Sequence, residues 1–257
     1  MVSCKQFFAF LIAIISFVYT FYVLGHLIHF LSAPRKPSKM YTWVFNLLDN
    51  QSRLETAYGP IVFNTLYLIL FICQHSFMKS KYINIVMHNM GLASVERAIY
   101  SLTSSFCLRY LIKNWSSASS IVLWQVDVDR NEWIWWSFVT LHTLLWLIIA
   151  GGSVIMDLPE ILGIKQVYYD IKNYAEPLAY KSFELRLLYD HIRHPSFIGL
   201  TIILWFTNLM SLDRLLLATM LTAYMYFAWS TDRSDLEYQK YQLQQKKKEL
   251  KTNMKYL

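Results

Sequence analysis

The sequence predicts an all-α membrane protein of about six transmembrane helices, closing in a C-terminal helical hairpin and a basic tail helix. Three observations predict it. Hydrophobic residues make up 55% of the 257 residues and charged ones only 16%, with a mean hydropathy of +0.29. The apolar residues gather in runs long enough to cross a bilayer, which takes about 20 residues in a helix. Gly and Pro, seven and six, are too few for a loop-rich protein. Length alone would allow one or two soluble domains, but the apolar runs argue instead for a single membrane domain over residues 1–230 and a tail over 231–257.

The first run covers residues 7–31 and is interrupted only by His26 and His29. It is too long for a removable signal peptide and lacks a small-residue cleavage site, so it is retained as a span. Pro34, Arg35, Lys36, Pro37 and Lys39 then make residues 32–59 a loop, in which 41–48 suits a short interfacial helix. The second span, 60–78, starts on Pro60, a residue suited to a helix's first turn. The third, 95–112, contains Glu96, Arg97, Arg109 and several Ser and Thr, so it belongs among other helices rather than against lipid. The fourth, 133–156, opens with Trp133, Trp135 and Trp136 as an aromatic belt. The fifth and sixth, 196–212 and 215–229, are separated by Asp213 and Arg214, which predicts a tight helical hairpin.

Six spans put both termini on one side. The side holding the termini, 79–94 and 157–195 collects fifteen Lys and Arg, against seven on the other. The positive-inside rule makes it the cytosol or the nucleoplasm. Lys246, Lys247, Lys248, Lys251 and Lys255 make the tail basic. Such a tail anchors topology, binds anionic headgroups or, in stronger form, marks nuclear import or nucleic acid. Seven basic residues against four acidic ones is a weak form, so membrane lipids are expected partners and specific nucleic-acid binding is not. Cys4, Cys73 and Cys107 fall in no metal-ligand spacing and read as small core or lipid-facing residues.

Three polar clusters share the basic face. The first is Gln74, His75 and Ser76, joined by Arg97; the second is Gln166, Tyr168 and Tyr169; the third is His191, Arg193 and His194, joined by Asp232, Arg233 and Asp235. An Arg with two His can bind a carboxylate or phosphate, and a His near neutrality can move protons. The same residues can equally pair with one another to satisfy polar groups at helix ends. His26 and His29 lie three apart on one helical face, but nothing completes a metal site, and none is expected. His142, alone in an apolar span, should hydrogen-bond within the bundle. Glycine-rich phosphate loops, GxSxG elbows and HExxH motifs are absent from the sequence.

These residues resemble the nurim family of inner nuclear membrane proteins. The resemblance rests on Gln74-His75-Ser76-Phe77-Met78, Glu96-Arg97-Ala98-Ile99-Tyr100, and Met156-Asp157 leading into Leu162-Gly163-Ile164-Lys165-Gln166-Val167-Tyr168-Tyr169. It continues through Glu176-Pro177-Leu178-Ala179, Lys181-Ser182, residues 187–195, and Asp213-Arg214-Leu215-Leu216-Leu217-Ala218, covering roughly 60–245. It implies residence at the nuclear envelope, with envelope or lamina proteins as partners. That family is in turn similar to the isoprenylcysteine carboxyl methyltransferases, which use S-adenosylmethionine. Their pattern is Arg-His-Pro-x-Tyr, a helical hairpin, then adjacent Glu residues. Arg193, His194 and Pro195 match, but Phe197 replaces the Tyr, and Asp232 and Asp235 stand apart where the Glu pair belongs. The resemblance therefore implies a structural or ligand-binding protein without established catalysis. The alternative is a methyltransferase acting on a lipidic or thiol substrate, with Gln166, Tyr169, His191, Arg193, His194, Asp232 and Asp235 as candidate cofactor contacts.

Overall fold

A computed structural model of the chain describes residues 4–36, 42–43, 46, 51–180, 182–183, 196–228 and 244. Its architecture is helical. In order come α1 (Cys4–Ser32), β1 (Thr42–Trp43), α2 (Gln51–Met78), α3 (Lys81–Asn89), a 3-10 turn (Ala93–Val95), α4 (Glu96–Asn114), β2 (Ile121–Gln125), α5 (Glu132–Ile155), α6 (Leu158–Ile161), α7 (Ile164–Ile171), a 3-10 turn (Pro177–Tyr180), α8 (Phe197–Trp205), β3 (Leu209–Ser211) and α9 (Leu212–Ala228). Among the described residues three helical segments are long and apolar enough to cross a membrane: Cys4–Ser32, Leu54–Met78 and Glu132–Val154. The protein is thus an all-α membrane protein.

The polar helix α4 packs mainly against α1 and α2, as its charges demand. The α1–α4 seam is made of small residues, which let the backbones approach. Ala9, Ala13 and Ala98 are buried there. The Ser16 hydroxyl donates to the Ala98 carbonyl at 2.8 Å, and Thr20 and Ser105 hydroxyls lie 3.0 Å apart. A second cluster, with Leu31, Leu68, Leu111, Leu145, Ile203 and Leu217 buried, joins α1, α2, α4, α5, α8 and α9. His142 is 3% exposed. Its ring lies 2.8 Å from Ser32 Oγ and 2.9 Å from the Phe206 carbonyl, so it is satisfied within the bundle.

Four sequence expectations are corrected. The segment expected as an interfacial helix over 41–48 contains strand β1, because Thr42 and Trp43 pair in parallel with Ile121 and Val122. Helix α2 begins nine residues before Pro60, which sits inside it. Ala57, buried against Ala118 and Ile121, holds that first part in place. Residues 79–94, for which only a connection between the second and third spans is expected, contain α3.

The hairpin is also not a tight helical turn. Between α8 and α9 the chain leaves the helix to form β3, antiparallel to β2 with Val122 opposite Ser211, giving a sheet ordered β1-β2-β3. Asp213 and Arg214 then fall in the first turn of α9 and are buried. Asp213 Oδ1 accepts from Ala118 N at 2.9 Å and Ser211 Oγ at 2.6 Å. Its Oδ2 accepts from Trp115 Nε1 at 2.9 Å and lies 3.5 Å from Arg35. Burial draws the Arg35 pKa below its ordinary value, opposed by that carboxylate. Arg214 donates to the Phe30 carbonyl at 2.7 Å, with its guanidinium 4.1 Å from the Phe30 ring centroid. A charged pair that reads as a turn is therefore a buried knot tying α9 to the sheet and to α1.

Candidate functional site

At the opposite end, the chain leaving α5 turns back on the start of α4. Asp157 adopts a left-handed conformation with φ 59°, α6 makes a single turn, and Gly163 at φ 86° starts α7. A side chain at Gly163 would place its Cβ 2.9 Å from both Ala98 Cα and the Arg97 carbonyl carbon. Real Cβ atoms do not come that close to backbone, so both the dihedral and the contact require glycine here. The close approach seats Val167, fully buried, beside Ala9, Ala13, Val95 and Ala98. Gln6 Nε2 on α1 donates to the Asp170 carbonyl at 3.3 Å.

Seating α7 fixes what its polar residues face. Lys165 Nζ donates to the Asp157 carboxylate and lies 3.9 Å from Glu160. The Asp157 hydrogen bond raises the lysine pKa, with burial opposing it. The same Nζ is 5.7 Å from the Tyr169 ring centroid. Gln166 Nε2 donates to the Glu160 carbonyl at 3.0 Å. Gln166 Oε1 is buried and accepts no hydrogen bond among the described residues.

These groups open onto a cavity of about 550 Å³. Its walls include Asn84 from α3, Glu96 and Arg97 from the start of α4, Glu160, Gln166, Tyr169 and Asp170 from α6 and α7, and Glu176. The volume lies in the range of small-molecule sites. Arg97 also leads to the first polar cluster. Its guanidinium is 6.0 Å from the Tyr100 ring centroid, and Tyr100 Oη lies 2.7 Å from His75 Nε2. Gln74 Nε2 donates to Thr103 Oγ1 at 3.0 Å, and Ser76 Oγ lies 3.2 Å from Tyr224 Oη. His75 is thus linked to the wall residue Arg97 through Tyr100.

No protein-family model matches the chain, and no solved structure does. Curated proteins do. A protein named Nurim homolog from Drosophila pseudoobscura pseudoobscura is 66% identical, over 93% of this chain and 94% of its own length. Nurim homolog from Drosophila melanogaster is 59% identical over 98% and 99%. Human Nurim is 32% identical over 82% of this chain and 79% of its own length. The chain belongs to the nurim family.

In this nurim-family chain the structure brings together residues from two separate sequence clusters: Arg97 from the first and Gln166 and Tyr169 from the second all line one cavity. Tyr168 is 49% exposed and does not line it. His75 connects through Tyr100. His191, Arg193, His194, Asp232 and Asp235 lie outside the described residues. Sequence reasoning missed Glu160, Asp170, Glu176 and Asn84 as wall residues. One signal was available: Gln166, Tyr169 and Asp170 share a face of a helix at spacings of three and four.

Proposed function

We propose that this nurim-family chain is a multi-pass protein of the inner nuclear membrane, with both termini facing cytosol or nucleoplasm, that holds a small ligand in the cavity beside α4 and α7. The location rests on the family resemblance and on the bias of Lys and Arg. The ligand role rests on one observation. Arg97, Tyr169 and Gln166, the last with an acceptor unpaired among the described residues, converge on a cavity of about 550 Å³. Buried acceptors are nearly always hydrogen-bonded, and a ligand donor would complete this one.

The second reading, S-adenosylmethionine-dependent methyl transfer, is favoured by Gln166 and Tyr169 lining the same cavity. Three of the described wall residues suit that cofactor, beside the carboxylates of Glu96, Glu160, Asp170 and Glu176. Arg97 suits its carboxylate, Gln166 Oε1 its amine or hydroxyls, and Tyr169 offers an aromatic face; the cofactor would supply the methyl group.

Titration of S-adenosylmethionine into the purified chain in detergent separates the readings. Saturable micromolar binding that is lost in both Gln166→Ala and His194→Ala, with methyl transfer to an added thiol, establishes the enzyme. Binding without transfer supports a ligand site. Absence of binding removes this cofactor. In this reading the bundle of spans is what holds the chain at the envelope, which is tested by expressing the tail alone: a tail that reaches the nuclear rim without the spans overturns it.

A further inference from the structure

Helix α3 begins three residues after the end of α2, where the Ser80 backbone N–H bonds to the Phe77 carbonyl at 3.0 Å and the chain turns. At about 100° per residue its side chains fall into three sectors. Ile83 and Met87 are half-buried on a helix that packs against the 3-10 turn before α4. Asn84 and His88 form a polar sector, and Asn84 is a wall of the cavity. The remaining sector holds Tyr82, Ile85, Val86 and, at the helix end, Met90. It is broken only by Asn89, and these four are 79%, 57%, 50% and 65% exposed.

We propose that α3 lies in the plane of the membrane, with Tyr82, Ile85, Val86 and Met90 sunk into the headgroup–acyl boundary, so that one wall of the cavity is fixed to the bilayer surface. The lipid surface is the occupant for three reasons. First, the preceding helix α2 itself carries an exposed apolar flank, where Phe63, Leu66, Leu70 and Phe77 are 56%, 54%, 51% and 63% exposed. That flank belongs to a helix apolar and long enough to cross the bilayer. Second, the residue chemistry is interfacial. A tyrosine prefers headgroup depth, and Lys79 and Lys81 stand beside it in the sequence, where cations favour anionic headgroups. Third, four side chains are far short of the roughly 20–30 residues per side that a specific protein interface uses, yet they suffice for a surface helix with one apolar face.

Electron paramagnetic resonance tests this on the full chain in phosphatidylcholine–phosphatidylserine liposomes. Cys4, Cys73 and Cys107 are replaced by alanine, and a nitroxide is placed singly at positions 82 to 90. Oxygen, which partitions into lipid, should relax the labels at 82, 85, 86 and 90 more than a water-soluble nickel chelate does. The order should invert at 84 and 88, and labels at 83 and 87 should respond weakly to both. Nickel dominance at 82 and 85 would show a helix in water. Weak response to both reagents there would show a protein-covered face. Either result overturns the proposal. The decision rests on 82 and 85, whose exposed side chains accept a label without disturbing the packed sector.

Discussion

Gly163→Ala is the sharpest perturbation of the cavity, because two separate costs meet at one methyl group. The first is the backbone. Gly163 sits at φ 86°, in the left-handed region where an L-residue costs roughly 1–2 kcal/mol. The second is contact. The new Cβ would lie 2.9 Å from Ala98 Cα and from the Arg97 carbonyl carbon. Both are backbone atoms of α4 and cannot swing aside, so the helices must part. Inserting a methyl into packed structure costs about 1–3 kcal/mol. The sum is about 2–5 kcal/mol, and at about 2–4 °C per kcal/mol for a chain of this size the melting temperature should fall by roughly 4–20 °C. The nine tryptophans allow intrinsic-fluorescence melting of the detergent-purified variant. Gly25→Ala is the control. Its Cβ meets nothing within 4 Å inside α1, so it should be neutral or gain up to about 1 kcal/mol of helix propensity. If Gly163→Ala melts within about 2 °C of the parent, or no lower than Gly25→Ala, the account of how α7 is seated on α4 is wrong.

At the other end, Asp213→Ala should cost about 3–5 kcal/mol, because it strands Arg35, the Trp115 indole, the Ala118 amide and the Ser211 hydroxyl together. A melting temperature within error of the parent would sink the view of Asp213 as a buried hub. Asp157 is left-handed at φ 59° without being glycine. Asp157→Asn keeps a side chain that tolerates this conformation, whereas Asp157→Ala does not. The alanine variant should therefore be less stable than the asparagine variant by about 1 kcal/mol, and equal melting would argue against a backbone role. Lys165 and Asp157 are each about a quarter exposed, so Lys165→Gln should cost at most about 1 kcal/mol. Its folded pKa is raised, so the pair's stabilisation is whole below the unfolded lysine value of about 10.4 and is lost as pH rises through the folded value. The melting gap between parent and Lys165→Gln should be constant from about pH 7 to 9 and close only above about pH 10.5. A gap that already closes near pH 8 would contradict that sign.

The apolar helices were legible because a bilayer leaves little choice: α1 and α5 match the expected runs to within about three residues at each end, near the usual uncertainty of helix boundaries. What stayed hidden depends on partners far apart in sequence. Thr42 and Trp43 are a strand because residues 121 and 122 pair with them. Pro60 was misread as a start because its own preference is for a first turn, while Ala57, packed against Ala118 and Ile121, extends the helix behind it. Asp213 and Arg214 read as a turn because charge suggests exposure. Their burial rests on Arg35, Trp115 and Phe30, each nearly a hundred residues or more away. At the cavity, Arg97, Gln166 and Tyr169 were singled out by residue type, but the acids around them looked like ordinary surface charge.

The short helices were nonetheless written in the sequence by their ends. Among the described residues, four have positive φ: Gly91, Asp157, Gly163 and Asn173. Each stands one residue past the cap of a helix, ending α3, α5, α6 and α7 respectively. This is the left-handed stop that favours glycine and then asparagine. Gly91, Gly163 and Asn173 obey that preference, and reading them as stops would have bracketed α3 and α7 inside what looked like loops. Asp157 is the exception, and its carboxylate is the one that holds Lys165. At that stop the chain accepts a less favourable backbone residue and gains a charge that fixes the residue next to Gln166. All four stand within three residues of a wall residue of one cavity, whereas the rest of the described chain turns without any positive φ. Repeated left-handed stops fold several short elements into a small volume, and here that volume is the one lined by Arg97, Gln166 and Tyr169. The local backbone chemistry and the placement of the polar side chains therefore meet at the same end of the bundle, where the proposed ligand site lies.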